Sequence, residues 1–130
     1  MAVVTIRYIV ADLDPALTFY TKDLGFNVEL HPAPTFAMLR RGDLRLLLSV
    51  PSGQGGGGQV LADRRRPEPG GWNRFQIEVA DLAEIVQALR RAGVRFRSER
   101  ITGVGGAQAL LEDPSGNLIE LFEPTQPAHA

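Results

Sequence analysis

Apolar residues alternate with other residues at Ile6, Tyr8 and Val10, then recur three or four apart through Leu13, Ala16, Leu17 and Tyr20. The first spacing belongs to a strand with one buried face, the second to a helix with one buried stripe. The same switch of period returns at an offset of 69, through Phe75, Ile77 and Val79 and then Leu82, Ile85, Val86 and Leu89. Both copies carry Val-Ala-Asp-Leu at the junction, as Val10 to Leu13 and as Val79 to Leu82. Each helical run stops at a glycine, Gly25 or Gly93, which suits a left-handed C-cap. One strand-helix unit is therefore used twice, and a surface built between related halves is a common place for a ligand.

The first copy predicts a strand over 3–10, a helix capped by Asp14 and Pro15 and running to about Leu24, and strands over 26–30, 35–40 and 44–49. The second predicts a strand over 74–79, a helix over 82–92 and strands over 95–99, 107–111 and 118–122. Asp81 and Glu84 have the spacing of a capping box, and Asp113-Pro114-Ser115-Gly116-Asn117 is a hairpin turn. Each copy reads βαβββ. The expected fold class is α+β, with two tandem βαβββ modules forming a curved mixed sheet around a cleft and the helices on its outer face. The expected organisation is one domain over 1–130: module one at 1–50, a glycine- and proline-rich linker or lid at 51–71, module two at 72–124 and a tail at 125–130.

Within the linker, Gly53 to Gly58 fits G-x-G-x-x-G. A phosphate cradle needs those glycines to open a helix after a strand, whereas here the chain runs into Asp63-Arg64-Arg65-Arg66-Pro67 with no helical period, so dinucleotide binding is set aside. Composition narrows the classes further. With 130 residues and 44% apolar content the chain can bury one core, and a net charge of −1 gives no footprint for nucleic acid. The basic run Arg64 to Arg66 reads as a solvated loop. No apolar stretch reaches about 18 residues and no leader pattern opens the chain, so a cytoplasmic protein without a membrane span is expected. The absence of cysteine fits that compartment and removes disulfides, thiolate metal sites and cysteine nucleophiles.

The tandem βαβββ plan, Val-Ala-Asp-Leu, Phe19-Tyr20 followed by Leu24-Gly25-Phe26, and Asp113 to Asn117 followed by Ile119-Glu120-Leu121 together resemble the vicinal oxygen chelate superfamily. This is the glyoxalase, bleomycin-resistance and extradiol-dioxygenase group, and the resemblance covers nearly the whole chain. It implies the fold without choosing among isomerases, epimerases, dioxygenases, thiol transferases and antibiotic-binding proteins. In metal-dependent members one ligand comes from the first and last strand of each module. Matched by motif, those positions are Thr5, Leu46, Arg74 and Glu120. Only Glu120 is a competent ligand, since leucine has no lone pair, arginine only donates and a lone threonine hydroxyl binds divalent ions poorly. Shifting Leu46 by one, to Arg45 or Leu47, repairs nothing, and His31 and His129 read as surface residues. The expectation is no metal and no cofactor.

Opposite the buried faces of the two repeated strands stand Thr5, Arg7 and Ile9 in one half and Arg74, Gln76 and Glu78 in the other. The same alternation sets Leu44, Leu46 and Leu48, with Leu118 and Phe122, around Glu120 as an apolar wall, the composition of a small-molecule pocket. A solvated sheet face would be polar too. Arg74 is expected to approach Glu120 where a metal would sit, keeping it a carboxylate and a weak base. Trp72 is placed to stack on an aromatic ligand, and Phe36 and Met38 to extend the wall; all three equally suit ordinary core or dimer contacts. The candidate ligand-binding set is Thr5, Arg7, Leu46, Trp72, Arg74, Gln76, Glu78, Glu120 and Phe122, with Glu120 catalytic if the protein is an enzyme.

The function this reading favours is a metal-independent small-molecule binding protein that sequesters an aromatic metabolite or antibiotic. The alternative is a glyoxalase- or dioxygenase-like enzyme, with non-standard metal ligands or with metal-free acid/base catalysis by Glu120, Glu78 and Arg74. A third is an interaction module with a vestigial cleft. A homodimer is implied by the resemblance.

Overall fold

The computed structural model describes residues 3–51 and 57–125. Gly53 to Gly56 of the glycine run and His129 in the tail lie outside them. The chain divides into two compact units, Met1–Gly70 and Gly71–Ala130, and strand pairing divides the same way, into one mixed sheet in each.

In the first unit, β1 (Val4–Ile9) leads through α1 (Leu13–Thr18) to β2 (Asn27–Ala33), β3 (Phe36–Arg41) and β4 (Leu44–Ser49). The sheet order is β1-β4-β3-β2, with β1 parallel to β4 and the other pairs antiparallel. Tyr8 and Val10 from the first strand and its exit, Leu13 and Ala16 from α1, and Leu39, Leu46 and Leu48 from the sheet are all buried, which makes the core of this unit. Asp12, in extended conformation, occupies the N-cap position, so α1 starts two residues before the expected cap at Asp14, and Asp14 and Pro15 lie inside its first turn. Proline is tolerated there because the first-turn N–H groups have no intrahelical partner.

After Thr18 the helix widens into a π turn over Phe19–Asp23. The repeat explains why. Leu13 to Gly25 is twelve steps and Leu82 to Gly93 is eleven, so the first copy carries one extra residue. A π turn absorbs a single insertion without breaking the helix. Here it keeps Tyr20 fully buried, edge-on to Phe19 with ring centroids 4.9 Å apart and to Phe26 at 5.6 Å. Deleting the exposed Lys22 should restore the α-helical spacing and change stability by no more than about 1–2 kcal/mol, a typical single-site effect. Deleting Gln87, where no residue is spare, should abolish the cooperative transition in a thermal melt followed by circular dichroism.

Near the end of the first unit the basic run folds onto its surroundings. Arg65 Nε lies 2.6 Å from the Asp63 carboxylate, and Arg66 Nη2 donates to the Pro51 carbonyl at 3.2 Å. Both side chains of the Asp63–Arg65 pair are at least half exposed, which accords with a solvated loop.

The second unit follows the same plan: β5 (Arg74–Glu78), α2 (Leu82–Arg91), β6 (Arg95–Phe96), β7 (Ile101–Thr102), β8 (Gly106–Glu112) and β9 (Leu118–Pro124). The order is β5-β9-β8-β6, with β7 also on β8, and β5 runs parallel to β9. Leu82 and Leu89 of α2 are buried, as are Ile77, Ala109, Leu111, Ile119 and Leu121 on the sheet face that meets it. Asp81 accepts from the Glu84 backbone N–H at 3.1 Å, one half of the expected capping box. Glu123 of β9 accepts from the Leu82 N–H at 2.7 Å, adding a carboxylate where the helix dipole favours one.

The strand expected over 95–99 stops at Phe96, and a separate short strand follows at Ile101–Thr102. The Arg97 and Ser98 N–H groups both donate to the Leu110 carbonyl, at 2.8 and 3.3 Å, so two residues oppose one and the ladder breaks at a bulge. Among the described residues no helix is long and apolar enough to cross a membrane.

Candidate functional site

Strand register decides which residues share a face. In the parallel pair of the second unit Arg74 lies beside Leu118, Gln76 beside Glu120 and Glu78 beside Phe122. These six point away from α2, together with Gln108, Leu110 and Glu112 of β8. Glu120 is the centre of the group and is only 7% exposed. A buried carboxylate is costly unless paired and hydrogen-bonded, and both of its oxygens are engaged. Arg74 Nε donates to Oε1 at 3.0 Å, and Gln76 Nε2 donates to Oε2 at 2.5 Å. The arginine is held in turn by the Trp72 carbonyl, 3.4 Å from Nη1. Its Nη2 has no partner among the described residues, and its side chain is 30% exposed, so one edge of the guanidinium is offered outward. Glu78, at the far end of β5 from Arg74, is exposed and without an ion pair among the described residues.

A second arginine, which the sequence reading did not single out, closes the end of this face. The bulge at Arg97 aims its side chain across the sheet, where Nε donates to Glu112 at 3.1 Å and Nη2 to the Gly116 carbonyl at 3.1 Å. Nη1 reaches the Gly71 carbonyl at 3.0 Å, and the guanidinium lies over the Trp72 ring, 4.9 Å from its centroid. Arg97 thus straps β8 and the Asp113 to Asn117 turn to the segment that enters β5. That turn is fixed by Asp113, which is fully buried and accepts from the Ser115 and Asn117 N–H groups at 2.8 and 2.9 Å. Trp72 remains 67% exposed. No apolar periodicity marks Arg97; the only sequence signal is an arginine two residues from Arg95 in a strand that then falters.

In the first unit the register corrects one assignment. Ile6 lies beside Leu46 and Tyr8 beside Leu48, so Leu46 belongs to the face that packs against α1, where it is fully buried. It is a core residue and lines no ligand surface. Counting as in the second unit, where Glu120 lies beside the residue two after Arg74, the equivalent of Glu120 is the neighbour of Arg7, which is Leu47. Thr5 and Arg7 are exposed on the face turned away from α1, with Phe36 and Met38 half-buried on β3 on that same face. Arg7 carries Gly57 against its guanidinium so closely that a Cβ there would overlap it. His31 is exposed on β2.

The residues do not fit the metal that the fold implies. With Leu47 in place of Leu46 the four positions are Thr5, Leu47, Arg74 and Glu120, and the one carboxylate among them is already held by two donors. Among the described residues no three His, Asp or Glu side chains converge.

The sequence profile of the Glyoxalase/Bleomycin resistance protein/Dioxygenase superfamily matches residues 2–121. The chain belongs to this superfamily. No curated protein matches the chain. Among solved structures, a superfamily member from Sphaerobacter thermophilus is similar at 27% identity, covering 95% of this chain and 97% of its own, with a TM-score of 0.73. A lactoylglutathione lyase from Agrobacterium tumefaciens is similar at 22% identity, with 94% and 92% coverage and a TM-score of 0.71. The antibiotic-binding protein TnmS3 from a Streptomyces species is equally similar at 22% identity, with 96% and 97% coverage and a TM-score of 0.71. At 22% the last two show the shared fold, and they bear names of an enzyme and of a binding protein.

Proposed function

We propose that this superfamily member binds a small oxygen-bearing organic molecule without a metal ion, as a sequestering protein for an aromatic metabolite or antibiotic. The observation that carries the reading is the occupied carboxylate: Glu120 is closed on both oxygens by Arg74 and Gln76. An arginine where the family's ion would sit supplies fixed positive charge and N–H donors in its place, suited to a carbonyl, phenol or carboxylate oxygen. Leu110, Leu118 and Phe122 give the same face an apolar surround. The enzyme alternative asks Glu120 to abstract a proton, and both of its oxygens already accept a hydrogen bond from the protein. Turnover of the lyase or dioxygenase type that is lost in Glu120→Gln would favour that alternative.

The test is metal analysis of protein purified from zinc-, nickel- and manganese-supplemented medium, followed by a thermal-shift screen of aromatic metabolites and antibiotics. The expected result is far less than one ion per chain and no change in melting temperature on adding a chelator. A true ligand at about 100 times its Kd should add about 2.7 kcal/mol of apparent stability. One tightly held divalent ion per chain overturns the proposal. A cytoplasmic homodimer is the setting we propose, and a monomer by light scattering at working concentration would refute the dimer.

A further inference from the structure

We infer that Trp72, backed by Arg97, is a preformed stacking platform that selects planar aromatic ligands carrying an acceptor oxygen, with Arg97 as its positioning residue. The inference rests on the binding reading above and adds the side chains that read the ring and their preference for an anionic one.

Three observations on the second unit carry it. Trp72 precedes Arg74 by two residues at the entry to β5, and the residue is 67% exposed although indole is among the side chains that gain most from burial. One ring face is occupied by the Arg97 guanidinium at 4.9 Å. That guanidinium is fixed through all three of its nitrogens, to Glu112, Gly71 and Gly116, so the support behind the indole is rigid. An exposed tryptophan on a flexible end would lose its rotamer freedom on binding, whereas one already braced loses less.

The chemistry follows from the charge on the covered side. A cation beneath an aromatic ring draws π density toward itself and leaves the opposite face less negative. That face favours an electron-rich or anionic ring over a cationic one. Arg74, two residues along the chain, keeps Nη2 without a partner among the described residues, as does the Trp72 indole N–H, so the entry to β5 offers two free donors. A hydroxybenzoate-like molecule meets both requirements with one group. An aliphatic acid meets only the second, and a benzylamine meets neither, since its ring carries a cationic substituent and no acceptor oxygen.

Trp72 is the only tryptophan in the chain, so its emission reports on the platform directly. Full-length protein is titrated with 4-hydroxybenzoate, benzylamine and cyclohexanecarboxylate, following tryptophan fluorescence and, independently, thermal shift. The expected result is quenching by 4-hydroxybenzoate with a Kd roughly 3- to 10-fold below that for benzylamine or cyclohexanecarboxylate, the range set by aromatic and cation–π energies. Arg97→Met should erase the preference for the anionic ring and shift the emission of the free protein, and Arg97→Lys should restore part of both. Trp72→Leu should weaken 4-hydroxybenzoate by a similar factor in thermal shift, and Trp72→Phe by less. If 4-hydroxybenzoate stabilises the protein but leaves the emission unmoved, or if Trp72→Leu binds it as well as the parent, the platform is overturned while the binding reading stands. If no aromatic probe binds at millimolar concentration, both fall.

Discussion

Replacing Arg74 with leucine is expected to lower stability by about 2 kcal/mol, because it leaves the buried Glu120 carboxylate with only the Gln76 amide as partner. Breaking a fully buried ion pair costs about 3–5 kcal/mol, and the 30% exposure of the Arg74 side chain reduces that figure. For a chain of this length the loss corresponds to roughly 3 °C of melting temperature per kcal/mol. Glu120→Leu alone should cost less, since it removes the buried charge and leaves a partly exposed guanidinium that water can reach. The double substitution should recover at least about 1 kcal/mol relative to the sum of the two, the signature of direct coupling in a double-mutant cycle. Additive effects would mean that the two side chains do not form the centre of the face, and the proposed binding site would lose its organising contact.

The largest effect of a substitution is expected in the first unit, at neighbouring leucines. Leu46→Ala should destabilise by about 2–5 kcal/mol, since a fully buried leucine is replaced by a cavity beneath α1. Leu47→Ala, on a half-buried side chain facing the other way, should cost less than about 1 kcal/mol. Chemical denaturation with urea separates the two readily. Reversal of the order would place Leu46 on the face shared by Thr5 and Arg7 and undo the register of β1 on β4.

These two leucines also explain what the sequence could and could not reveal. The strand and helix existence was legible because period two and helical period are each written in several residues, and the repeat supplied a second reading of both. The face of β4 was not, because Leu46, Leu47 and Leu48 are alike, and a one-residue slip in a uniform run exchanges the two faces with no change in pattern. In β9 the charged Glu120 between apolar neighbours broke the same ambiguity, which is why its meeting with Arg74 was reachable by counting. The π turn was present in the spacing of the two glycines, as one residue too many, but only a three-dimensional constraint says where the surplus is taken up. Arg97 was hidden for another reason: its reach depends on the bulge opposite Leu110, and a bulge leaves no periodic trace. The role of Gln76 was half visible, as a polar residue on the right face, without any sign that it would hold the second oxygen of Glu120.

Strand β9 keeps two sets of duties on its two sides. Glu120 faces Arg74 and Gln76, while Glu123, an odd number of positions away, reaches the first turn of α2. Reading frame along this strand is therefore functional information in its own right. An inserted residue between the two glutamates would send one of them to the opposite side, so that the helix would lose its anion or the arginine its counterion. The π turn shows that the first half of the chain holds one residue more than the second in its helix without breaking it. In laboratory evolution, length changes should accordingly accumulate around Phe19–Asp23 and be purged from Leu118–Pro124, giving the two halves of one ancestral repeat different tolerances to indels.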